Sequence, residues 1–97
     1  MAGTGIKPMV REEICGLAKR YGIKKVILFG SRARGDFHEK SDIDLAVEGG
    51  DFPRFALDVE EETSTLLKYD MVELDREVQQ ELLDSIRGEE IVIYEKV

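Results

Sequence analysis

The sequence predicts one α/β domain with about four strands and three main helices. Three observations lead there. Apolar residues recur alternately at helical spacing and in short strand-like runs. Glycine-rich and polar breaks separate these segments. The 97 residues are 42% hydrophobic and 36% charged, which suits one modest core rather than two, and a folded chain rather than a disordered one. The expectation is a single domain over 1–97.

The elements follow in order. Val10, Ile14, Leu17, Ala18 and Tyr21 recur at helical spacing, with Pro8 suited to the start and Gly22 to the stop. Lys24 to Phe29 is a short, largely apolar run ending at Gly30, the pattern of a buried strand. Gly30 to Ser41 is polar and turn-rich, and predicts one short helical turn after Ser31 and then a loop. Ile43 to Val47 reads as a second strand closed by Gly49 and Gly50. Phe52, Phe55, Ala56, Val59, Thr63 and Leu66 define a second long helix, with Pro53 in its first turn. Tyr69 to Leu74 reads as a third strand. Val78, Leu82 and Ile86 mark a third helix stopped near Gly88, and Ile91 to Tyr94 reads as a last strand. No internal repeat or low-complexity segment interrupts this order.

Composition removes several function classes. The net charge is −7, and an acidic surface repels phosphate backbones, so general nucleic-acid binding is disfavoured. One metal-neutralised nucleotide stays compatible, because the cation supplies local positive charge. A lone cysteine, Cys15, cannot form an internal disulfide, and with a lone histidine, His38, it leaves no thiolate or imidazole zinc cluster. No apolar stretch is long enough to span a membrane, and Met1 to Gly5 lacks the basic and apolar regions of a signal peptide. A cytoplasmic location is expected.

The chemistry concentrates in Phe29-Gly30-Ser31-Arg32-Ala33-Arg34-Gly35 and Ser41-Asp42-Ile43-Asp44-Leu45. On a strand, Asp42 and Asp44 point to the same face, and Ile43, Leu45 and Val47 to the other. Two adjacent carboxylates repel; a divalent cation between them relieves the repulsion, and hard oxygen ligands suit Mg²⁺. Gly30 permits close backbone approach to a ligand, Ser31 adds a hydroxyl donor, and Arg32 and Arg34 lie within reach of a triphosphate. Taken singly, each feature has an ordinary explanation: a Gly-Ser turn, surface acidity, solvated arginines, and for Arg34 a loop salt bridge with Asp36. Rival motifs fail. The loop lacks the Lys-Ser/Thr of a P-loop, the dinucleotide fingerprint is absent, and no EF-hand spacing follows Asp42.

Gly30-Ser31, ten residues, then Asp42-Ile43-Asp44 resembles the signature of the DNA polymerase beta nucleotidyltransferase superfamily. The surrounding residues, the short length and the Ile91-Val92-Ile93-Tyr94 ending resemble its minimal, stand-alone branch, which includes antitoxins. The resemblance implies a mixed sheet with helices on one face and a cleft on the other. It implies that Gly30 and Ser31 contact triphosphate oxygens and that Asp42 and Asp44 bind the metals. A third carboxylate on a later strand would complete the site, and the matching position is Asp70. Glu73 and Asp75 are nearby alternatives. On an extended strand Asp70, Val72 and Leu74 share one face, and apolar surface there asks for a cover.

The function expected from this reading is Mg²⁺-dependent nucleotidyl transfer, with ATP as donor of AMP. Asp42, Asp44 and Asp70 are the expected catalytic and metal-binding residues; Gly30, Ser31, Arg32 and Arg34 are the expected nucleotide-binding residues. The minimal branch lacks an acceptor-binding domain and resembles proteins that act with a helical partner of the HEPN type, some in toxin–antitoxin pairs. A second reading from another class is a non-catalytic nucleotide-binding or antitoxin module that acts by contact. Small-molecule transfer is weaker, because relatives with that activity carry extra substrate-binding segments.

Overall fold

The computed structural model describes residues 5–76 and 78–96. Along them run α1 (Pro8–Arg20), β1 (Lys25–Phe29), α2 (Ser31–Arg34), β2 (Ile43–Glu48), α3 (Phe52–Glu62), β3 (Tyr69–Glu73), α4 (Gln80–Glu89) and β4 (Ile91–Glu95). The strands form one sheet in the order β3-β2-β1-β4. β1 is antiparallel to both β2 and β4, whereas β2 and β3 are parallel, so the sheet is mixed. A parallel pair needs a crossover between its strands, and α3 supplies it.

Strand alternation sorts the core into two faces. On one face, Val26 and Leu28 of β1 and Ile43, Leu45 and Val47 of β2 pack against Val10, Ile14, Leu17 and Ala18 of α1 and Phe55 and Val59 of α3. Phe55 is wholly buried there, and truncating such a phenylalanine to alanine typically costs about 3–5 kcal/mol. Ile27, Phe29 and Ala46 face the other way, with Ile86 of α4 and, at their margin, Val72, Leu74 and Leu82.

The two long helices thus share a face, as the resemblance implies, and α4 lies across part of the opposite one. Its position has a direct cause: Ile27, Phe29, Ala46 and Val72 are apolar on that side, and Leu82 and Ile86 remove them from water. This is the cover that Val72 and Leu74 ask for.

Two boundaries differ from the sequence reading. α3 ends at Glu62 rather than running on through Leu66. Thr63 is already extended, and its hydroxyl turns back to the Val59 carbonyl at 2.6 Å. Glu13 of α1 then accepts from both the Ser64 N–H (2.8 Å) and hydroxyl (3.0 Å). The Thr65 hydroxyl accepts from the Leu67 N–H at 3.1 Å, and hydroxyl bonds of this kind compete with helix continuation. Leu66, placed by its spacing on the apolar stripe, is instead fully exposed in the following loop. α4 begins at Gln80, beyond Val78, and runs through Gly88 to Glu89.

Candidate active site

The site forms where the C-terminal end of β1 meets the N-terminal ends of β2 and β3. Antiparallel register sets Phe29 beside Asp44, and parallel register sets Asp70 on the other side of Asp44. Because Asp44 and Ala46 share a face, the Asp44 side chain lies on the α4 side of the sheet, away from α1 and α3. Asp70 shares that face with Val72. Asp42 precedes β2 and is exposed.

Three negative groups crowd Asp44. Partial burial raises its pKa most, followed by the charges of Asp70 and Asp42, with Glu89 adding to them and Arg34 opposing. Asp42, Asp44 and Asp70 are the residues that could hold a divalent cation here: hard carboxylate oxygens, two of them in register across neighbouring strands. Among the described residues, no three His, Cys, Asp or Glu side chains already converge closely enough to bind one ion.

The alternatives to Asp70 have other partners. Glu73 pairs with Arg76 at 2.9 Å. Asp75 accepts from the Gly49 N–H at 2.7 Å, and so sits past the far end of β2. Parallel pairing carries the chain from Asp70 beside Asp44 to Glu73 beside Val47.

The turn after β1 is built around its glycine. Gly30 has φ 77 and ψ −157 and leads into α2. Its N–H does not point into open solvent: it donates to Oε2 of Glu89 at 3.0 Å. Ser31 opens α2, and its carbonyl accepts from the Gly35 and Asp36 N–H groups, at 2.9 and 3.1 Å, which closes the turn.

The two arginines separate. Arg32, expected at the triphosphate, is 2% exposed. Its Nε and Nη2 donate to the Ser41 carbonyl at 3.1 and 2.9 Å, and Nη2 also reaches the Glu39 carbonyl at 3.4 Å. Its guanidinium stacks over Phe37 at 4.8 Å. Burial lowers its pKa, with the Asp44 charge opposing. Arg32 thus fastens α2 to the loop that delivers Asp42 and Asp44. Arg34 does pair with Asp36, at 3.2 Å, and its Nη1 also donates to both Glu89 oxygens at 3.0 and 2.9 Å.

Glu89 is the residue that motif reading missed. Its carboxylate, 18% exposed, joins the Gly30 turn to α4. The available signal was spacing: Leu82, Ile86 and Glu89 fall four and three apart, so the buried face of α4 ends in a carboxylate.

The family model described as "Polymerase beta, Nucleotidyltransferase" matches residues 12–97. The chain belongs to this family. Among its relatives, a Methanocaldococcus jannaschii protein named as a putative protein adenylyltransferase is 43% identical over 65 residues. The match covers 65% of this chain and 63% of that protein, so the chain spans somewhat under two thirds of the relative's length. A second protein of that organism and the same kind of name is 38% identical over 71 residues, or 69% of this chain and 72% of its own length. A solved structure described as a putative minimal nucleotidyltransferase superposes with a TM-score of 0.64 at 32% identity, over 84% of this chain and 86% of that one. The family fold also extends to a toxin–antitoxin complex with AMP-PNP (TM-score 0.71, 21% identity, 89% of this chain and 73% of that one). It extends likewise to an MNT antitoxin with a tri-AMPylated HEPN toxin from Shewanella oneidensis (0.67, 17%, 94% and 74%). No helix among the described residues is long and apolar enough to cross a membrane.

Proposed function

We propose that the chain is a Mg²⁺-dependent nucleotidyltransferase that moves AMP from ATP onto a side chain of a helical partner protein of the HEPN type. The observation that carries this reading is the register of Asp44 against Asp70, beside the Gly30 turn, in a member of the polymerase beta family. The partner class draws on the structural relatives that are complexes with a HEPN toxin, and the transferred group on the relatives named as adenylyltransferases.

In this mechanism Asp42, Asp44 and Asp70 would hold Mg²⁺, which would supply positive charge to offset that of the triphosphate. The Gly30 N–H, the Ser31 hydroxyl and Arg34 orient the phosphate chain. An acceptor oxygen attacks the α-phosphorus in line. A new O–P bond forms, the bond to the bridging oxygen breaks, and pyrophosphate leaves. Asp70, exposed at the edge of the cleft, takes up the acceptor's proton directly or through water.

One observation favours a second reading, a contact module without catalysis: Glu89 already engages the Gly30 N–H and Arg34. One experiment separates the two. The chain is incubated with α-labelled ATP, Mg²⁺ and a HEPN-type protein. Transfer gives a labelled partner and one pyrophosphate per label. A partner bound and neutralised without label selects the contact module. Neither label nor binding removes the HEPN assignment.

A further inference from the structure

Glu89 holds a set of donors that suits a phosphate oxygen. One main-chain N–H (Gly30, 3.0 Å), one guanidinium nitrogen (Arg34, 2.9 and 3.0 Å) and one hydroxyl (Ser85, 3.2 Å) converge on its carboxylate. These are charge-assisted contacts of the kind that phosphates and carboxylates make interchangeably. The carboxylate is mostly shielded from water, yet it lies on the same side of the sheet as Asp44, whose charge repels it. It is therefore held by Arg34 and Gly30 against local negative charge.

We propose that Glu89 is an internal placeholder for phosphate: it occupies the Gly30 N–H and Arg34 in the free protein and is displaced when a polyphosphate enters. This rests on the nucleotidyltransferase reading above and adds a competitor within the chain itself. α4 positions the competitor, because Leu82 and Ile86 anchor the helix on the sheet and leave its last turn against the Gly30 loop. Displacement frees both oxygens of Glu89 at once and returns two donors to the ligand. The placeholder lowers the affinity for any ligand that binds through phosphate and leaves binding of the bare nucleoside unaffected.

The test is calorimetry of wild type and Glu89→Gln with Mg²⁺-tripolyphosphate, Mg²⁺-ATP and adenosine. Glutamine keeps the size and one acceptor oxygen but removes the charge. The expected result is roughly tenfold tighter binding of tripolyphosphate and ATP, equivalent to about 1.4 kcal/mol, with adenosine unchanged. Ser85→Ala, which removes one tether of Glu89 outside the Gly30 turn, should shift both phosphate ligands the same way by a smaller factor; it decides the matter if Glu89→Gln does not fold. Unchanged or weaker tripolyphosphate binding in the folded variants, with wild type binding normally, overturns the placeholder alone. No binding of either phosphate ligand by any of the proteins overturns the nucleotidyltransferase reading with it.

Discussion

Gly30 and Asp44 interlock. The Asp44 carboxylate fills the space in which a side chain on Gly30 would begin, with its Cγ 3.0 Å from that point and Oδ2 overlapping it. Gly30 also occupies a backbone region open essentially to glycine. The turn conformation thus calls for glycine here, and the Asp44 side chain sits in the space that glycine leaves, in addition to anything it does for a ligand.

Gly30→Ala is expected to cost about 1–3 kcal/mol from backbone strain alone. At roughly 4–8 °C per kcal/mol for a domain of this size, thermal melting reads this easily. Transfer should fail as well, because Asp44 must move. An unchanged Tm would mean that the turn can adopt another conformation.

Asp44→Asn is expected to abolish transfer while leaving the metal-free fold as stable or more stable at neutral pH. The sign follows from the raised pKa of Asp44, caused by burial and then by Asp70 and Asp42. A carboxyl that holds its proton more tightly when folded than when unfolded loses stability as pH rises from the ordinary aspartate range through the raised native value, and stays penalised above it. The variant lacks this group. Its melting advantage over wild type should therefore be present at pH 7 and vanish near pH 3. A variant less stable than wild type at pH 7 would contradict the repulsion.

Asp70→Ala should cut turnover much more than ATP binding, because Asp42 and Asp44 can still hold a Mg²⁺-triphosphate. Glu73→Gln, which removes the charge that pairs with Arg76 at 2.9 Å, should leave turnover near wild type; exposed pairs of this kind are worth about 0–1 kcal/mol. Steady-state kinetics on both variants checks this. A greater loss in Glu73→Gln would place the chemistry on the other face of β3.

ATP should bind more tightly with Mg²⁺ than without it, since the cation relieves the repulsion among Asp42, Asp44 and Asp70. Titration of the protein with ATP in EDTA and in Mg²⁺ compares the two directly. Equal affinities would remove the metal from the site.

Arg32→Ala should act on stability first. Hydrogen bonds from a charged donor are worth about 1.5–3 kcal/mol each time one partner is lost, and Arg32 holds the Ser41 and Glu39 carbonyls from a buried position. The expected outcome is a clear fall in Tm. At a temperature where the variant is folded, ATP affinity should change little compared with that of Arg34→Ala. The opposite ranking in calorimetry would return Arg32 to the phosphate.

Much of this site is legible in the sequence, for definite reasons. The Asp42-Ile43-Asp44-Leu45 alternation fixes which face of β2 is core, because a strand has no freedom in its period of two. The same rule separates Asp70 from Glu73. What escapes is whatever depends on residues meeting from afar. Arg32 and Arg34 are alike in sequence, and what separates them lies elsewhere in the chain: the Ser41 and Glu39 carbonyls and the Phe37 ring gather around Arg32. Leu66 fits the helical stripe by spacing, but Thr63, Ser64 and the distant Glu13 stop the helix before it. Glu89 reads as one more charge near a helix end until α4 is laid on the sheet.

The sheet order also bears on how the cleft opens. Among the described residues β3 lies at one edge of the sheet, paired to β2, whereas β1 and β2 form the centre. Edge elements open at lower free energy than central ones. Transient release of β3 would carry Asp70 away from Asp44 while the antiparallel β1–β2 pair, and with it the contact of Gly30 with Asp44, stayed intact. Amide exchange should accordingly be faster in Tyr69–Glu73 than in Lys25–Phe29. Asp70, the proposed third carboxylate, then sits on the least securely fastened strand of the three that frame the site, and a ligand bridging Asp44 and Asp70 would slow exchange there most.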